Sequence, residues 1–143
     1  PGDVVDRCVR YRDYTSICVS VLGERLALLA LRHSDRILAR HNRIARENAR
    51  AVDEWVSNHS DLLEYVPPAG GVVCFPRYKA PVSSRRLCEM LMAEKEVLLV
   101  PGECFGVEGR FRLGFGGEGD VLREALARVS GFLKALTERG VDR

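Results

Sequence analysis

The second half of the chain carries short apolar runs bounded by glycine and proline. VVCF at 72–75 follows a Gly-Gly pair, and VLLV at 97–100 precedes a Pro-Gly step. Runs of this length between turn residues predict two short buried strands. Between them, Ser83 is placed to cap a helix whose inward face carries Leu87 and Leu91.

A third strand is predicted at 110–115, where arginine and apolar residues alternate. Residues two apart on a strand share a face. The apolar face predicts three core positions, Phe111, Leu113 and Phe115. The opposite face carries Arg110, Arg112 and Gly114, so two guanidinium groups are expected side by side on a strand whose other face is buried.

A last helix is predicted from apolar residues three or four apart between Leu122 and Leu136, with Asp120 as its cap and Gly140 as its stop. The second half of the chain then reads strand, helix, strand, strand, helix. This order predicts an α+β sandwich, in which helices cover a small three-stranded sheet.

The first half of the chain predicts a long helix. From Leu22 to Leu63 there is one glycine and no proline, and apolar residues recur at helical steps. A helix of about 35 residues would be about 50 Å long, more than one small domain needs. We therefore expect it to bridge two bodies or to break near 32–36, and to stop by Pro67-Pro68. Before it, 3–11 predicts a short helix and RDYTSICVS an irregular or extended segment.

Length and charge limit the class of protein. The 143 residues suffice for one domain with its own core, and the formal net charge is only +2. A nearly neutral chain is not expected to be a dedicated nucleic-acid binder. Acidic residues nearby also offset the positive charge of the arginines along the long helix. These arginines are therefore expected to form a solvated helix face. These arginines are Arg32, Arg36, Arg40, Arg43 and Arg50.

Neither the apolar runs nor the cysteines and histidines indicate a membrane or metal partner. No apolar run is long enough to cross a bilayer, and no signal segment opens the chain. Five scattered cysteines without Cys-x-x-Cys spacing predict reduced thiols in a cytoplasmic protein rather than a disulfide framework or zinc site. The three histidines lack metal-ligand spacing, and Lys79 reads as an ordinary exposed lysine. A start at Pro1 rather than at Met leaves a processed product and a cloned fragment both open.

Arg112 is the candidate binding residue. A planar guanidinium on a firm strand suits bidentate recognition of a carboxylate, and the neighbouring glycines let a ligand approach closely. The alternative is an ordinary amphipathic strand whose arginines lie in solvent.

Four segments in order carry a resemblance to a known family: RDYTSICVSVLGERLALLAL, ILARHNRIARENARAVDEWV, PPAGGVVCFPR and VLLVPGECFGVEGRFRLGFG. This succession resembles the C-terminal part of class I/II aminotransferases, the fold-type-I enzymes that use pyridoxal 5′-phosphate. Its most specific part is the set Pro101-Gly102, Phe105-Gly106, Gly109 and Arg112-Leu113. The resemblance implies that 1–63 is an interface segment with the long bridging helix, and that 64–143 is the family's small C-terminal domain.

The resemblance also implies roles for single residues. The family's arginine at the position of Arg112 binds the α-carboxylate of the amino-acid or 2-oxo-acid substrate. Arg110 occupies a variable place, in solvent or beside the side-chain pocket. RDYT matches a segment near the subunit interface, so Arg10, Arg12 or Tyr14 is expected to reach the partner subunit's active site in a homodimer.

The departure from the family concerns the cofactor. The family's Schiff-base lysine and most of its cofactor ligands lie upstream of RDYT, and Lys79, Lys95 and Lys134 stand at other places. The chain is therefore expected to be a piece of a longer enzyme, with pyridoxal 5′-phosphate in the full-length parent and none bound covalently here, and to be inactive alone. The alternative is a stand-alone module of the same fold that binds a carboxylate or a protein through Arg112.

Overall fold

The computed structural model describes residues 2–141 of the chain. By their internal contacts, the residues group into two compact units, Pro1–Ala39 and Arg40–Arg143. None of the helices in the described part is both long and apolar enough to cross a bilayer.

The first unit consists of helices. Helix α1 spans Gly2–Thr15 and helix α2 spans Val21–Arg32, and neither contains a buried residue. The RDYT segment, expected to be irregular or extended, is the end of α1. The Thr15 hydroxyl donates to the Tyr11 carbonyl at 3.0 Å, a bond along the last turn that suits helical geometry. The expectation for these four residues was therefore wrong.

The long helix breaks where the sequence predicted. Helix α2 ends at Arg32 and helix α3 spans Ser34–Ser57, so His33 separates the two. The helix ends ten residues before Pro67-Pro68, the pair expected to stop it, because the chain turns immediately after Ser57. Both the Leu62 and Leu63 amides donate to the His59 carbonyl at 2.9 Å, which closes that turn.

The second unit contains a three-stranded antiparallel sheet, as predicted. The strands are β2 (Val73–Cys74), β4 (Val100–Pro101) and β5 (Phe111–Gly114), and β5 lies in the centre of the order β2-β5-β4. Residues 97–99 of the predicted second strand stay outside the ladder, since the Val97 amide closes the preceding helix on the Leu91 carbonyl at 3.2 Å. A further antiparallel pair, β1 (Leu63–Glu64) with β3 (Arg77–Tyr78), was not predicted.

Two helices pack with this sheet around one core. Helix α4 spans Ser84–Lys95, and Ser83 is its N-cap, accepting from the Arg86 amide at 3.4 Å. Helix α5 spans Gly119–Val141, so the predicted stop at Gly140 was wrong. Asp120 is also not its cap, because Asp120 already lies in the first turn and its carboxylate pairs with Arg123 at 2.6 Å.

The core draws residues from α3, α4, the sheet and α5. The three core residues predicted for the third strand are all buried: Phe111 (0% exposed) and Leu113 (4%) lie in β5, and Phe115 (2%) follows it directly. Cys74 is buried among them, and all five cysteines of the chain are free thiols. The α+β class expected from the order of elements is therefore confirmed.

Candidate functional site

Arg112 lies on the central strand of the sheet. Its backbone pairs with Val100 of β4, and Leu113 beside it pairs with Cys74 of β2. Strands on both sides therefore hold the Arg112 backbone in place. Because Phe111 and Leu113 face the core, the Arg112 side chain leaves the opposite face and is exposed, as the alternation predicted.

The guanidinium of Arg112 lies against an aromatic ring. Its central carbon is 5.5 Å from the centroid of the Phe105 ring, within the range of a cation–π contact. Among residues 2–138, no salt bridge or side-chain hydrogen bond to Arg112 is present. Its N–H donors are therefore available to a ligand, and their planar fork matches a carboxylate.

Arg110, two residues earlier, is engaged inside the protein. Its Nη1 donates to the Phe75 carbonyl at 2.9 Å, and its guanidinium carbon lies 5.9 Å from the Phe75 ring centroid. The Phe75 ring meets the Phe105 ring edge to face, with centroids 5.7 Å apart. We call Phe75, Phe105, Arg110 and Arg112 the arginine–phenylalanine cluster. Within it, Arg110 is bound to the backbone whereas Arg112 is not.

The loop that carries Phe105 is held by a glycine with no space for a side chain. A short 3₁₀ helix, Gly102–Phe105, follows β4. The Gly102 amide donates to the Arg110 carbonyl at 2.8 Å, which ties the start of the loop to the start of β5. A Cβ at Gly102 would lie 2.1 Å from the Val107 carbonyl oxygen and 2.6 Å from the Arg110 carbonyl oxygen. Only glycine fits there without moving the loop.

Glu108 fastens the same loop to α4, and sequence reasoning missed it. Its carboxylate accepts from the Ser84 amide at 3.0 Å and from the Ser84 hydroxyl at 3.1 Å. The Gly109 amide also donates to Glu108, at 3.1 Å. These bonds hold the pKa of the Glu108 carboxyl below its ordinary value. The Ser84 amide has the largest effect, followed by the Gly109 amide and the Ser84 hydroxyl. No local signal reveals this, because Ser84 is 24 residues away in the chain.

Asn48 joins α3 to the far end of β5. Its side-chain amide donates to the Phe115 carbonyl at 2.8 Å and to the Gly117 carbonyl at 2.9 Å. The residue is only 2% exposed. The sequence shows only an asparagine within a helical pattern, which does not reveal its role, because its partners are 67 and 69 residues away.

The other predicted site residues lie on α1. Arg10, Arg12 and Tyr14 belong to the first unit, and all three are exposed, Tyr14 by 91%. Their proximity to a partner subunit's active site remains a prediction. Within residues 2–141 no cluster of three or more metal-ligating side chains is present.

Comparison with known proteins identifies the family. The family model for aminotransferase class I and II matches residues 7–129. Capreomycidine synthase of Streptomyces vinaceus is 39% identical over 130 residues, which are 91% of this chain and 33% of that protein. Aromatic-amino-acid aminotransferase 2 of Thermococcus litoralis is 31% identical over 94% of this chain and 35% of its own length.

Solved structures agree with the sequence comparison. A PLP-dependent aminotransferase from Streptococcus suis superposes with a TM-score of 0.86 at 36% identity, over 94% of this chain and 36% of that one. The PLP-dependent cyclase OrfR gives 0.84 at 32% identity, over 94% and 37%. The chain belongs to the class I and II aminotransferase family, and it spans about a third of the length of the curated relatives it matches.

Proposed function

We propose that this chain forms the C-terminal part of a longer pyridoxal 5′-phosphate enzyme, in which Arg112 binds the α-carboxylate of an amino acid or 2-oxo acid. The observation that carries the proposal is the exposed Arg112 guanidinium, held by the central strand and, among the described residues, paired with no acidic side chain. Arg110 on the same face differs, because Phe75 already accepts its hydrogen bond.

The chain's own part in the reaction is to bind and orient the substrate. A carboxylate that accepts two parallel N–H bonds from one guanidinium is fixed in position and in plane. Fixing it restricts how the remaining substituents of the substrate's α-carbon can point, which lowers the entropic part of the barrier. Since the strand is braced on both sides, the arginine's backbone does not have to be ordered when the substrate binds.

The described residues of this chain do not fit the cofactor's own site. All three lysines are exposed. The Lys79 ammonium donates to the Ser60 carbonyl at 2.9 Å and pairs with Glu64 at 3.3 Å. We therefore propose that the 143 residues alone are inactive.

Ring formation is the one alternative to amino-group transfer that the similar proteins support. The similar proteins include a synthase at 39% identity and a cyclase at 32% identity, and the structure of the cyclase superposes on this chain. A shared fold does not fix the reaction. The two reactions are separated by their products, since a transaminase loaded with pyridoxal 5′-phosphate converts an L-amino acid and 2-oxoglutarate into a new 2-oxo acid and glutamate. A cyclase leaves the 2-oxoglutarate unconsumed.

We also propose a homodimeric, cytoplasmic parent protein. The five free thiols support a reducing compartment. The observation that supports a dimer is that α1 and α2 bury no side chain, although apolar residues such as Leu22 (76% exposed) and Val21 (69% exposed) lie on α2. Exposed apolar patches of this kind mark interaction surfaces. Sedimentation of the longer protein at the mass of two subunits is the expected result, and a monomer at all concentrations would contradict it.

The test of Arg112 uses the longer protein loaded with pyridoxal 5′-phosphate. The twenty proteinogenic L-amino acids are first screened with 2-oxoglutarate, and the best substrate is kept. Arg112→Ala should raise KM for that amino acid by about a hundredfold, because a charge-assisted bidentate pair contributes about 3 kcal/mol. Arg112→Lys should also bind poorly, since an ammonium lacks the fork.

Arg86→Ala is the matched control, because Arg86 is an exposed arginine on α4 outside the arginine–phenylalanine cluster. It should leave KM unchanged. An unchanged KM in Arg112→Ala would contradict the proposed role of Arg112, whereas turnover of none of the twenty amino acids would contradict amino-group transfer as the reaction.

A further inference from the structure

We propose that Phe105 is a positioning residue, whose ring holds the Arg112 guanidinium in the orientation that receives the substrate carboxylate. This inference rests on the proposed role of Arg112 and adds to it a residue that does not itself touch the substrate. The contact between them is direct, with the guanidinium carbon 5.5 Å from the Phe105 ring centroid.

An exposed arginine needs such support. Its long side chain carries about 2 kcal/mol of rotamer entropy, part of which is lost when a ligand fixes it. The backbone of Arg112 is braced by β2 and β4, but this bracing ends at the Cα atom. A guanidinium that lies over an aromatic ring has fewer accessible rotations, while its N–H groups can still bind a carboxylate.

The ring itself is held in place. Phe105 ends the 3₁₀ helix that begins at Gly102, and Gly106 follows in the left-handed region with φ of 69°. The Phe75 ring supports Phe105 edge to face at 5.7 Å. Arg110, in turn, binds the Phe75 carbonyl at 2.9 Å. The Phe105 ring is therefore the end of a series of contacts that starts at the backbone of Phe75, the residue directly after β2.

The exposure of Phe105 argues against a role in the core. Its side chain is 49% exposed, whereas Phe111 and Phe115 are 0% and 2% exposed. A half-exposed phenylalanine on a loop buries only about half the apolar area of a core phenylalanine, so the fold alone does not account for its exposed half. The aromatic and cation–π contacts of its ring within the described residues are those to Phe75 and to Arg112.

The first experiment measures steady-state kinetics of the longer, cofactor-loaded protein with the amino acid selected by the screen. Phe105→Leu keeps an apolar side chain but removes the ring, and should raise KM about 3- to 30-fold with kcat within about twofold. Phe105→Tyr keeps the ring and should restore KM to within about twofold of the unsubstituted protein. Val107→Ala, a half-exposed residue of the same loop outside the cluster, is the control and should change neither constant.

A double-substitution cycle separates positioning from a general structural effect. If Phe105 acts through Arg112, Phe105→Leu should raise KM in the protein that retains Arg112. It should leave KM unchanged when Arg112 is already replaced by alanine. Equal increases in both backgrounds would overturn the inference, as would a Phe105→Tyr protein as impaired as Phe105→Leu. If Phe105→Leu does not fold, Phe105→Met takes its place in both backgrounds, because methionine also removes the ring but keeps a flexible apolar side chain, and the same KM changes are expected of it.

The two proposals fail in different ways. An Arg112→Ala protein with unchanged KM contradicts the role of Arg112 and with it the role of Phe105. A large effect of Arg112→Ala together with no effect of Phe105→Leu overturns the positioning role alone.

Discussion

Asn48 and Phe115 are joined across 67 residues of chain by a hydrogen bond of 2.8 Å from the asparagine amide to the phenylalanine carbonyl. The same amide also binds the Gly117 carbonyl at 2.9 Å. One buried side chain on α3 therefore supplies both donors at the point where β5 ends and the turn to α5 begins. Because Arg112 lies shortly before Phe115, Asn48 anchors the far end of the strand that carries the candidate site.

Removing the Asn48 amide should destabilise the fold. Asn48→Leu keeps a similar volume but leaves two carbonyl groups without donors, at a cost of about 1–3 kcal/mol in the free energy of unfolding. Equilibrium urea unfolding of the chain measures this loss. Arg43→Ala is the control, since Arg43 lies on the same helix in an exposed pair with Glu47 at 3.3 Å and should cost less than about 1 kcal/mol. Equal effects of the two substitutions would show that Asn48 has no special role.

Gly102 and Gly131 should respond to alanine in opposite directions. Gly102→Ala forces a Cβ to within 2.1 Å of the Val107 carbonyl oxygen, so the loop must move, at a cost of about 1–3 kcal/mol. Gly131 lies inside α5, where an added Cβ would meet no atom within 4 Å, so alanine there should stabilise the chain by about 0.5–1 kcal/mol. Urea unfolding of both variants provides the comparison. An unchanged free energy of unfolding in Gly102→Ala would contradict this prediction, because it would show that the loop can accept a Cβ at this position.

Glu108 should make the attachment of its loop depend on pH. The Ser84 and Gly109 amide bonds hold the pKa of the folded-state carboxyl below its ordinary value of 4.5. A lowered pKa stabilises the fold above the unfolded-state pKa, and this contribution disappears as the pH falls from about 4.5 through the lower folded-state value. Glu108→Gln should therefore be less stable than the unsubstituted chain at about pH 7, with the difference vanishing in acid.

Urea midpoints of the two proteins between about pH 7 and about pH 3 measure this dependence. Glu89→Gln is the control, because Glu89 is an exposed carboxylate on α4 and makes no side-chain hydrogen bond within the described residues. A difference between Glu108→Gln and the unsubstituted chain that stays constant over the whole range would argue against the amide bonds as its cause.

The features that sequence reasoning predicted are those that a local pattern determines. The alternation in β5 identified both its core face and its arginine face, since burial of one face imposes a period of two. Ser83 was identified as the α4 cap because serine satisfies free amides at a helix start. The break between α2 and α3 fell at His33, within the predicted 32–36.

The features that it missed depend on partners distant in the chain. The β1–β3 pair joins Leu63 to Tyr78, and two-residue strands are too short to leave a periodic pattern. The end of α3 was placed too late, because a turn stabilised by His59, rather than the later prolines, stops the helix. Asp120 resembled a cap, but α5 begins one residue before it.

At the candidate site, the sequence indicated Arg112 but not its surroundings. The resemblance singled out Arg112 over Arg110, and the structure adds a physical difference, since Arg110 is bound to the Phe75 carbonyl. The contacts of Phe105 with Phe75 and Arg112 arise only when the loop folds back over the sheet. No spacing rule relates these residues.

The measurement that tests the central claim most directly compares binding of an amino acid with binding of its α-carboxamide to the longer, cofactor-loaded protein, with and without Arg112→Ala. The carboxamide has no charge to pair with the guanidinium but keeps the rest of the substrate. We predict that Arg112→Ala weakens binding of the amino acid about a hundredfold and changes binding of the carboxamide by less than about threefold. An equal loss for both ligands, or no loss for either, would show that Arg112 does not bind the α-carboxylate.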